Sequence, residues 1–151
     1  CALPISVMSN TIIVAYDGSA AGRRAVDFAA ALVQGAECSL VLLHVLEWSP
    51  YSFLTPDEVE ERHARRKVEL ARAESAIVAP IKADLEAAGL KVNAQIRYGN
   101  VTDTICEVAQ ETGARQIVIG RTGQAGVMSR LFGSVAGALA QVAPVPCTIV
   151  P

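Results

Sequence analysis

Two glycine-rich loops contain the residues of this chain whose types and spacing suit phosphate binding. The longer loop has Gly120 and Gly123 with two residues between them and, after nine more residues, the pair Gly133-Ser134. Glycines let backbone N–H groups approach an anion closely, and the N-terminus of a helix adds unpaired donors and a favourable dipole. Since Ser134 opens a predicted helix, this spacing predicts a phosphate-binding loop.

The shorter loop, Ala15-Tyr16-Asp17-Gly18-Ser19, follows the first predicted strand. Three roles are open for Asp17: contact with a ribose, ligation of a metal ion such as Mg²⁺, or stabilisation of the first turn of the next helix by its charge. Neither loop contains the lysine of a Gly-x-x-x-x-Gly-Lys-Ser/Thr motif, and no Gly-x-Gly-x-x-Gly follows the first strand. These absences argue against a P-loop NTPase and a dinucleotide site.

Three basic side chains near these loops have two interpretations each. Arg121 and Arg130 are the cations inside the longer motif, and either one screens a phosphate or, as is more frequent for loop arginines, lies exposed to solvent. His44 lies within an apolar run, which favours a hydrogen-bonded, buried imidazole over a catalytic base. No convincing general base is therefore predicted.

Alternating strands and helices position the two loops. Apolar runs typical of buried strands cover residues 11–16, 39–46, 116–119 and 147–150, and residues 92–98 alternate as an edge strand does. Four segments show helical spacing. The first runs from Ser19 to Gly35, and the second covers 57–88 with a kink at Pro80. The third begins at the predicted N-cap Thr102 and ends at Gly113, and the fourth covers 134–142. This order predicts a doubly wound α/β domain with an open, five-stranded parallel sheet and helices on both faces. In such sheets the ligand binds at the carboxyl ends of the strands, where the strand order reverses.

Composition restricts the class of protein. With 151 residues, 52% of them hydrophobic, and a net charge of -2, the chain suits one domain with a real core and lacks the basic excess of a nucleic-acid-binding protein. No apolar run is long enough to cross a bilayer, so no membrane partner is predicted. Residues 1–7 are expected to be an expression remnant or an upstream extension, with residues 8–151 as a single domain. The four cysteines show no Cys-x-x-Cys pair, which favours small buried hydrophobic residues in a reducing cytoplasm.

Several segments together resemble the universal stress protein family. They are IIVAYDGS at 12–19, LLHV at 42–45, YGN at 98–100, IVIG at 117–120 and the glycine motif that ends at Ser134. The resemblance implies a Rossmann-like fold with strand order 3-2-1-4-5. Because the glycine motif is intact, the resemblance also implies the branch of the family that binds ATP, or AMP or ADP, with Mg²⁺ as a further candidate.

The resemblance also implies roles for individual residues. Ala15, Tyr16 and Asp17 resemble the residues beneath adenine and ribose, and Val45 resembles the residue whose backbone contacts the adenine edge. The remaining implied contacts, to ribose and phosphates, are Gly120, Arg121, Thr122, Gly123, Gly133, Ser134, Val135 and Ala136. Ala136 stands where many family members have a hydroxyl side chain, so one phosphate hydrogen bond is expected to be missing.

The resemblance implies a cytoplasmic homodimer, paired through its last strand, whose nucleotide state regulates dimerisation or partner binding. Any ATPase activity is expected to be slow, and no catalytic residue is predicted. Two alternatives remain open. One is an ATP-consuming enzyme of the adenine-nucleotide hydrolase type. Such enzymes typically have a Ser-Gly-Gly-x-Asp-Ser motif after the first strand, and only Asp17-Gly18-Ser19 is similar to it here. The other is a scaffold that binds no nucleotide.

Overall fold

The computed structural model describes residues 10–47, 55–122 and 134–151. The strands are β1 (Thr11–Ala15), β2 (Ser39–Glu47), β3 (Lys91–Gly99), β4 (Gln116–Gly120) and β5 (Cys147–Val150). The α-helices are α1 (Ala20–Val33), α2 (Pro56–Ala73), α3 (Ala79–Ala87), α4 (Val101–Thr112) and α5 (Ser134–Val142). All pairs of neighbouring strands are parallel, in the order β3-β2-β1-β4-β5. The predicted fold class and strand order are therefore confirmed.

Alternate residues of the central strands form two core layers on opposite faces of the sheet. Ile12 and Val14 belong to one layer, whereas Ile13, between them, belongs to the other. The first layer is completed by α1 and α3, and the second by α4 and α5. Since both faces of the central strands are covered, the sequence of these strands is continuously apolar rather than alternating.

The long charged helix that the sequence predicts over 57–88 is interrupted in the structure. A π-helical segment, Glu74–Val78, separates α2 from α3. Pro80 lies in the first turn of α3, and a proline ring crowds the carbonyl of the residue four positions earlier, here Ala76. The predicted break is confirmed, and it begins several residues before the proline because the displaced carbonyl lies inside the π-helical segment.

The predicted N-cap of α4, Thr102, is wrong by two residues. Asn100 is the N-cap, and its side-chain oxygen accepts a hydrogen bond from the Asp103 N–H at 3.1 Å. Gly99 sets this boundary, because its φ of 151° favours glycine and a Cβ there would lie 2.8 Å from the Thr104 hydroxyl oxygen. Asn and Thr are both good caps, so the backbone turn at Gly99 decides between them.

The sheet edge formed by β3 is tied to two helices by its side chains. The Tyr98 hydroxyl donates to the Arg66 carbonyl at 2.8 Å, and the Arg66 guanidinium lies 5.4 Å from the centre of the Tyr98 ring. On the other side, Arg97 makes two hydrogen bonds to the Glu111 carboxylate of α4. These bonds lower the pKa of Glu111 below its ordinary value. The predicted edge position of this strand is confirmed.

The three described cysteines are free thiols. Cys38 is buried in the core, as expected, whereas Cys106 and Cys147 are half-buried. Partial burial raises the pKa of both half-buried thiols above the usual value, because it disfavours the charged thiolate. In the part of the chain that the structure describes, no helix is long and apolar enough to cross a membrane.

Candidate functional site

The central strand β1 stops short of both its neighbours at the carboxyl edge of the sheet. Its pairing with β2 ends at Ala15 and Leu43, although β2 continues beside β3 as far as Glu47. Its pairing with β4 ends at Val14 and Val118, and β4 continues beside β5 as far as Gly120. A notch therefore lies beyond β1. Its floor is Ala15-Tyr16 and its sides are the ends of β2 (44–47) and β4 (119–120).

The notch lies where the strand order reverses. From β1 the chain continues to β2 and β3 on one side, and the later strands β4 and β5 lie on the other side. The helix that follows β1, α1, packs on one face of the sheet, and α5, the helix that comes after β4, packs on the other face. Ligands of open α/β sheets bind in the crevice so formed.

The loop after β1 is organised by the Asp17 carboxylate. Asp17 Oδ1 accepts hydrogen bonds from the Ser19 N–H at 2.9 Å and from the Ser19 hydroxyl. The Ser19 oxygen in turn accepts from the Gly22 N–H at 3.0 Å and caps α1, and Gly18 supplies the turn with a φ of 86°. Of the three roles open for Asp17, the structure bears on the one at the start of α1, where the carboxylate holds the N-cap Ser19 although it does not lie in the first turn itself. The ribose and metal contacts stay predictions.

His44 is a buried, hydrogen-bonded imidazole, which confirms the preferred interpretation of this residue. Only 5% of His44 is exposed, and its Nδ1 lies 2.7 Å from the Tyr16 carbonyl oxygen. A carbonyl oxygen only accepts, so Nδ1 carries the hydrogen. The His44 side chain, which belongs to β2, thus holds the backbone at the start of the loop that follows β1.

Gly120 brings the end of β4 into direct contact with the start of α1. A Cβ on Gly120 would lie 2.8 Å from the Ala21 carbonyl carbon and 2.9 Å from the Gly22 nitrogen. Backbone atoms cannot yield as a flexible side chain does, so only glycine fits at this place. Sequence reasoning chose Gly120 as a ligand contact and missed this role in packing.

Gly22 is a residue that sequence reasoning missed. A Cβ on Gly22 would lie 2.8 Å from Asp17 Oδ1 and 3.1 Å from the Ser19 hydroxyl oxygen. The missing side chain therefore leaves room for the Asp17 and Ser19 turn. Its sequence signal is a second glycine four residues after Gly18, inside a helical pattern that ordinarily disfavours glycine.

Several of the predicted site residues lie in the part of the chain that the structure describes. Ala15, Val45 and Val135 are half-buried and pack against one core layer, in which Ala136 is buried with 7% exposed. After β4, the Arg121 N–H donates to the Val150 carbonyl at 2.7 Å and its side chain is exposed, while Thr122 is half-buried. For Ser134 the structure describes only the backbone, at the start of α5. Gly123, Arg130 and Gly133 lie outside the described residues.

Among the described residues, Asp17 is the metal ligand that the sequence suggests. Within residues 10–47, 55–122 and 134–151, no three or more His, Cys, Asp or Glu side chains are grouped so as to hold a metal ion. The Asp17 carboxylate also already accepts two hydrogen bonds from Ser19. The residues described thus provide no protein-built metal cage, and Mg²⁺ stays a prediction that depends on a bound phosphate.

The fold and the notch define a Rossmann-like α/β domain with a crevice at the switch of strand order. The chain belongs to the universal stress protein family, whose model matches residues 8–151. It is 29% identical over 145 residues to the universal stress protein Sll1654 of Synechocystis, covering 96% of this chain and 87% of that one.

Solved structures of the same family share this architecture. The universal stress protein UspA from Lactobacillus plantarum superposes with a TM-score of 0.82 at 24% identity, covering 95% of this chain and 98% of that one. A universal stress protein in complex with cAMP has a TM-score of 0.67 at 23% identity, covering 93% and 95%. The Archaeoglobus fulgidus protein in complex with dAMP has a TM-score of 0.63 at 19% identity, covering 93% and 97%.

Proposed function

We propose that this protein binds ATP, with the adenine and ribose in the notch and the phosphates at the glycine motif of residues 120–134. The single observation that carries the proposal is the early end of β1. Within the described residues, it leaves one edge of β2 without a strand partner over residues 44–47, at the crevice where α/β domains bind ligands. The cAMP and dAMP complexes of structural neighbours support an adenine nucleotide as the ligand class.

The backbone of Val45 is suited to the edge of an adenine ring. The Tyr16 N–H donates to the Leu43 carbonyl at 2.9 Å, so the polar groups of Leu43 face β1. Polar groups alternate along a strand, and those of Val45 therefore face the same side, beyond the end of β1. One N–H donor beside one C=O acceptor matches the ring-nitrogen acceptor and amino donor of adenine. Guanine presents these two groups in the opposite order.

The phosphates are proposed to extend from Gly120 across the glycine motif to the start of α5. This helix follows the motif directly, and Ser134, Val135 and Ala136 lie in its first turn. The first N–H groups of an α-helix have no partner within the helix and suit an anion. Arg121, Thr122, Gly123 and Gly133 complete the proposed set of contacts. Because backbone donors hold the phosphates, the site needs no excess of basic residues, in keeping with the net charge of -2.

The proposed activity is nucleotide binding with at most slow hydrolysis. Rapid hydrolysis needs a positioned water and stabilisation of transition-state charge, usually with a metal ion. His44 donates to the Tyr16 carbonyl and Asp17 accepts from the Ser19 N–H, so each of these two side chains already binds the backbone of the protein itself. ATP bound in this way acts as a signal that the protein senses, in the cytoplasm, rather than as a substrate that it consumes.

Homodimerisation through β5 is the second part of the proposal. β5 lies at an end of the sheet, and within the described residues no strand pairs with its outer edge. Ile149 on this strand is 39% exposed, and Val142 at the end of α5 is 58% exposed. An open edge flanked by apolar side chains is suited to pairing with the same strand of a second copy. Such pairing connects the loop after β4 to the interface, because Arg121 bonds to Val150.

Analysis of the purified protein tests ATP binding directly. We expect mass spectrometry of the denatured protein to release an adenine nucleotide, and calorimetric titration of the emptied protein to show one site for ATP. GTP is expected to bind at least about tenfold more weakly, because one mismatched pair of hydrogen bonds costs more than about 1 kcal/mol. An empty protein with no heat of binding for ATP, with or without Mg²⁺, contradicts the proposal.

Replacing Ile149 with lysine tests the dimer. The change places a charge on the apolar edge of β5, so we expect the variant to be a monomer in analytical ultracentrifugation at concentrations where the unmodified protein is a dimer. Val68→Lys is the control, because Val68 is 61% exposed on α2, a different surface. A dimer that persists in Ile149→Lys, or that is lost equally in Val68→Lys, argues against pairing through β5.

A further inference from the structure

We propose that His44 is a positioning residue that ends the pairing of β1 with β2 and so keeps the Val45 backbone N–H available to a ligand. This inference rests on the proposed nucleotide site and assigns a cause to the notch that forms it. The observations behind it are the hydrogen bond from His44 to Tyr16 and the register of the two strands. A catalytic role is not part of the proposal.

The hydrogen-bond pattern of a parallel ladder shows what His44 replaces. On β2, the Leu43 carbonyl accepts from the Tyr16 N–H at 2.9 Å. The next bond of a continued ladder would run from the Val45 N–H to the Tyr16 carbonyl. In the structure that carbonyl accepts from His44 Nδ1 at 2.7 Å, and the register stops at Ala15 and Leu43. Among the described residues, no backbone hydrogen bond joins Tyr16 to Val45.

His44 therefore takes the place of Val45 as the donor to the Tyr16 carbonyl. A backbone carbonyl with restricted access to solvent needs a partner, and without the imidazole the nearest donor in the ladder is the Val45 N–H. Pairing of these two groups would extend β1 and close the notch by one step. With the imidazole in place, the Tyr16 carbonyl is satisfied and the Val45 N–H faces the proposed adenine site.

Burial of the imidazole fixes this arrangement. His44 is 5% exposed, which restricts its rotamer, and the neighbouring Leu43 is fully buried in one of the two core layers. A side chain with so little freedom places its Nδ1–H at the Tyr16 carbonyl without a further loss of entropy when a ligand binds. The His44 side chain of β2 thus preorganises the proposed site before a ligand binds.

Amide hydrogen exchange of two variants tests the inference without any nucleotide. His44→Leu removes the donor, and we expect the Val45 amide to exchange at least about tenfold more slowly, because it gains the Tyr16 carbonyl as a partner. His44→Asn keeps an N–H donor on a nitrogen two covalent bonds from Cβ, as in histidine. This variant is expected to leave the exchange rate of the Val45 amide unchanged. A residue that only stabilises the fold would change exchange in the opposite direction, since its loss speeds local opening.

ATP titration of the same variants gives the second result. We expect His44→Leu to bind ATP about tenfold or more weakly and to lose the preference for ATP over ITP, whose base lacks the amino donor, whereas His44→Asn keeps both. Absence of ATP binding in the unmodified protein contradicts the proposed function. The exchange rate of the Val45 amide still tests the positioning role of His44 in that case. Unchanged or faster Val45 exchange in His44→Leu overturns the inference.

The unmodified protein provides a check that needs no variant to fold. The nitrogen chemical shifts of the His44 imidazole are expected to show a protonated Nδ1, and the Val45 amide is expected to exchange faster than the Leu43 amide, which lies inside the ladder. Equal protection of Val45 and Leu43, or an unprotonated Nδ1, overturns the inference even if both variants fail to fold.

Discussion

Replacing Gly120 with alanine is expected to lower the free energy of unfolding by about 3 kcal/mol or more, the upper end of the usual cost of overpacking. The added Cβ would lie 2.8 Å from the Ala21 carbonyl carbon and 2.9 Å from the Gly22 nitrogen, both of them backbone atoms. The chain relieves this clash only by moving the end of β4 away from α1. Chemical denaturation followed by circular dichroism measures the loss.

Gly35→Ala is the matched control for this variant. Gly35 lies just after α1, and a Cβ there meets nothing within 4 Å, although its φ of 75° disfavours a side chain. The control is therefore expected to cost only the conformational strain of about 1–2 kcal/mol. Equal losses for the two variants would show that β4 and α1 are not in the backbone contact described.

Replacing Gly123 with valine is expected to weaken ATP binding by about a hundredfold or more, the loss of roughly two hydrogen bonds to a charged group. The expectation rests on the spacing of the glycine motif, because a branched side chain at this position would keep backbone N–H groups away from a phosphate. Calorimetric titration measures the affinity, and thermal unfolding is expected to be unaffected.

Gln124→Val is the control, because it places the same side chain at the next position, which the motif leaves variable. We expect ATP affinity within about threefold of the unmodified protein, since no proposed phosphate contact changes. Full ATP affinity in Gly123→Val would mean that the phosphates are held by a loop other than the one the motif marks.

The fold could be predicted because its signals are local and repeated. Continuous apolar runs such as 39–46 are typical of strands covered on both faces, and the observed bounds of α5 and β5 agree with those predicted. The N-cap of α4 could not be predicted in the same way. Asn100 and Thr102 have similar capping chemistry, and the choice depends on the backbone conformation of Gly99.

The sequence marks the loops of the candidate site, whose ligand contacts stay predictions, but it does not show the early end of β1. The apolar run predicts a strand through Tyr16, whereas β1 ends at Ala15. The difference arises because the Tyr16 carbonyl accepts a hydrogen bond from the side chain of His44, 28 residues away in the sequence. A contact between residues so far apart leaves no pattern in either segment. The sequence signals at Asp17 were equally ambiguous, and its bonds to Ser19 were identified only in the structure.

The most direct test of the account is the mapping of backbone amide signals by NMR as ATP is added. If adenine lies in the notch, the amides of Tyr16, Val45 and Gly120 change in a saturable way. The amides of Lys91 and Cys147, at the opposite ends of their strands, are expected to stay unchanged. Changes confined to the opposite edge of the sheet, or no saturable change at millimolar ATP, would contradict ATP binding in the notch.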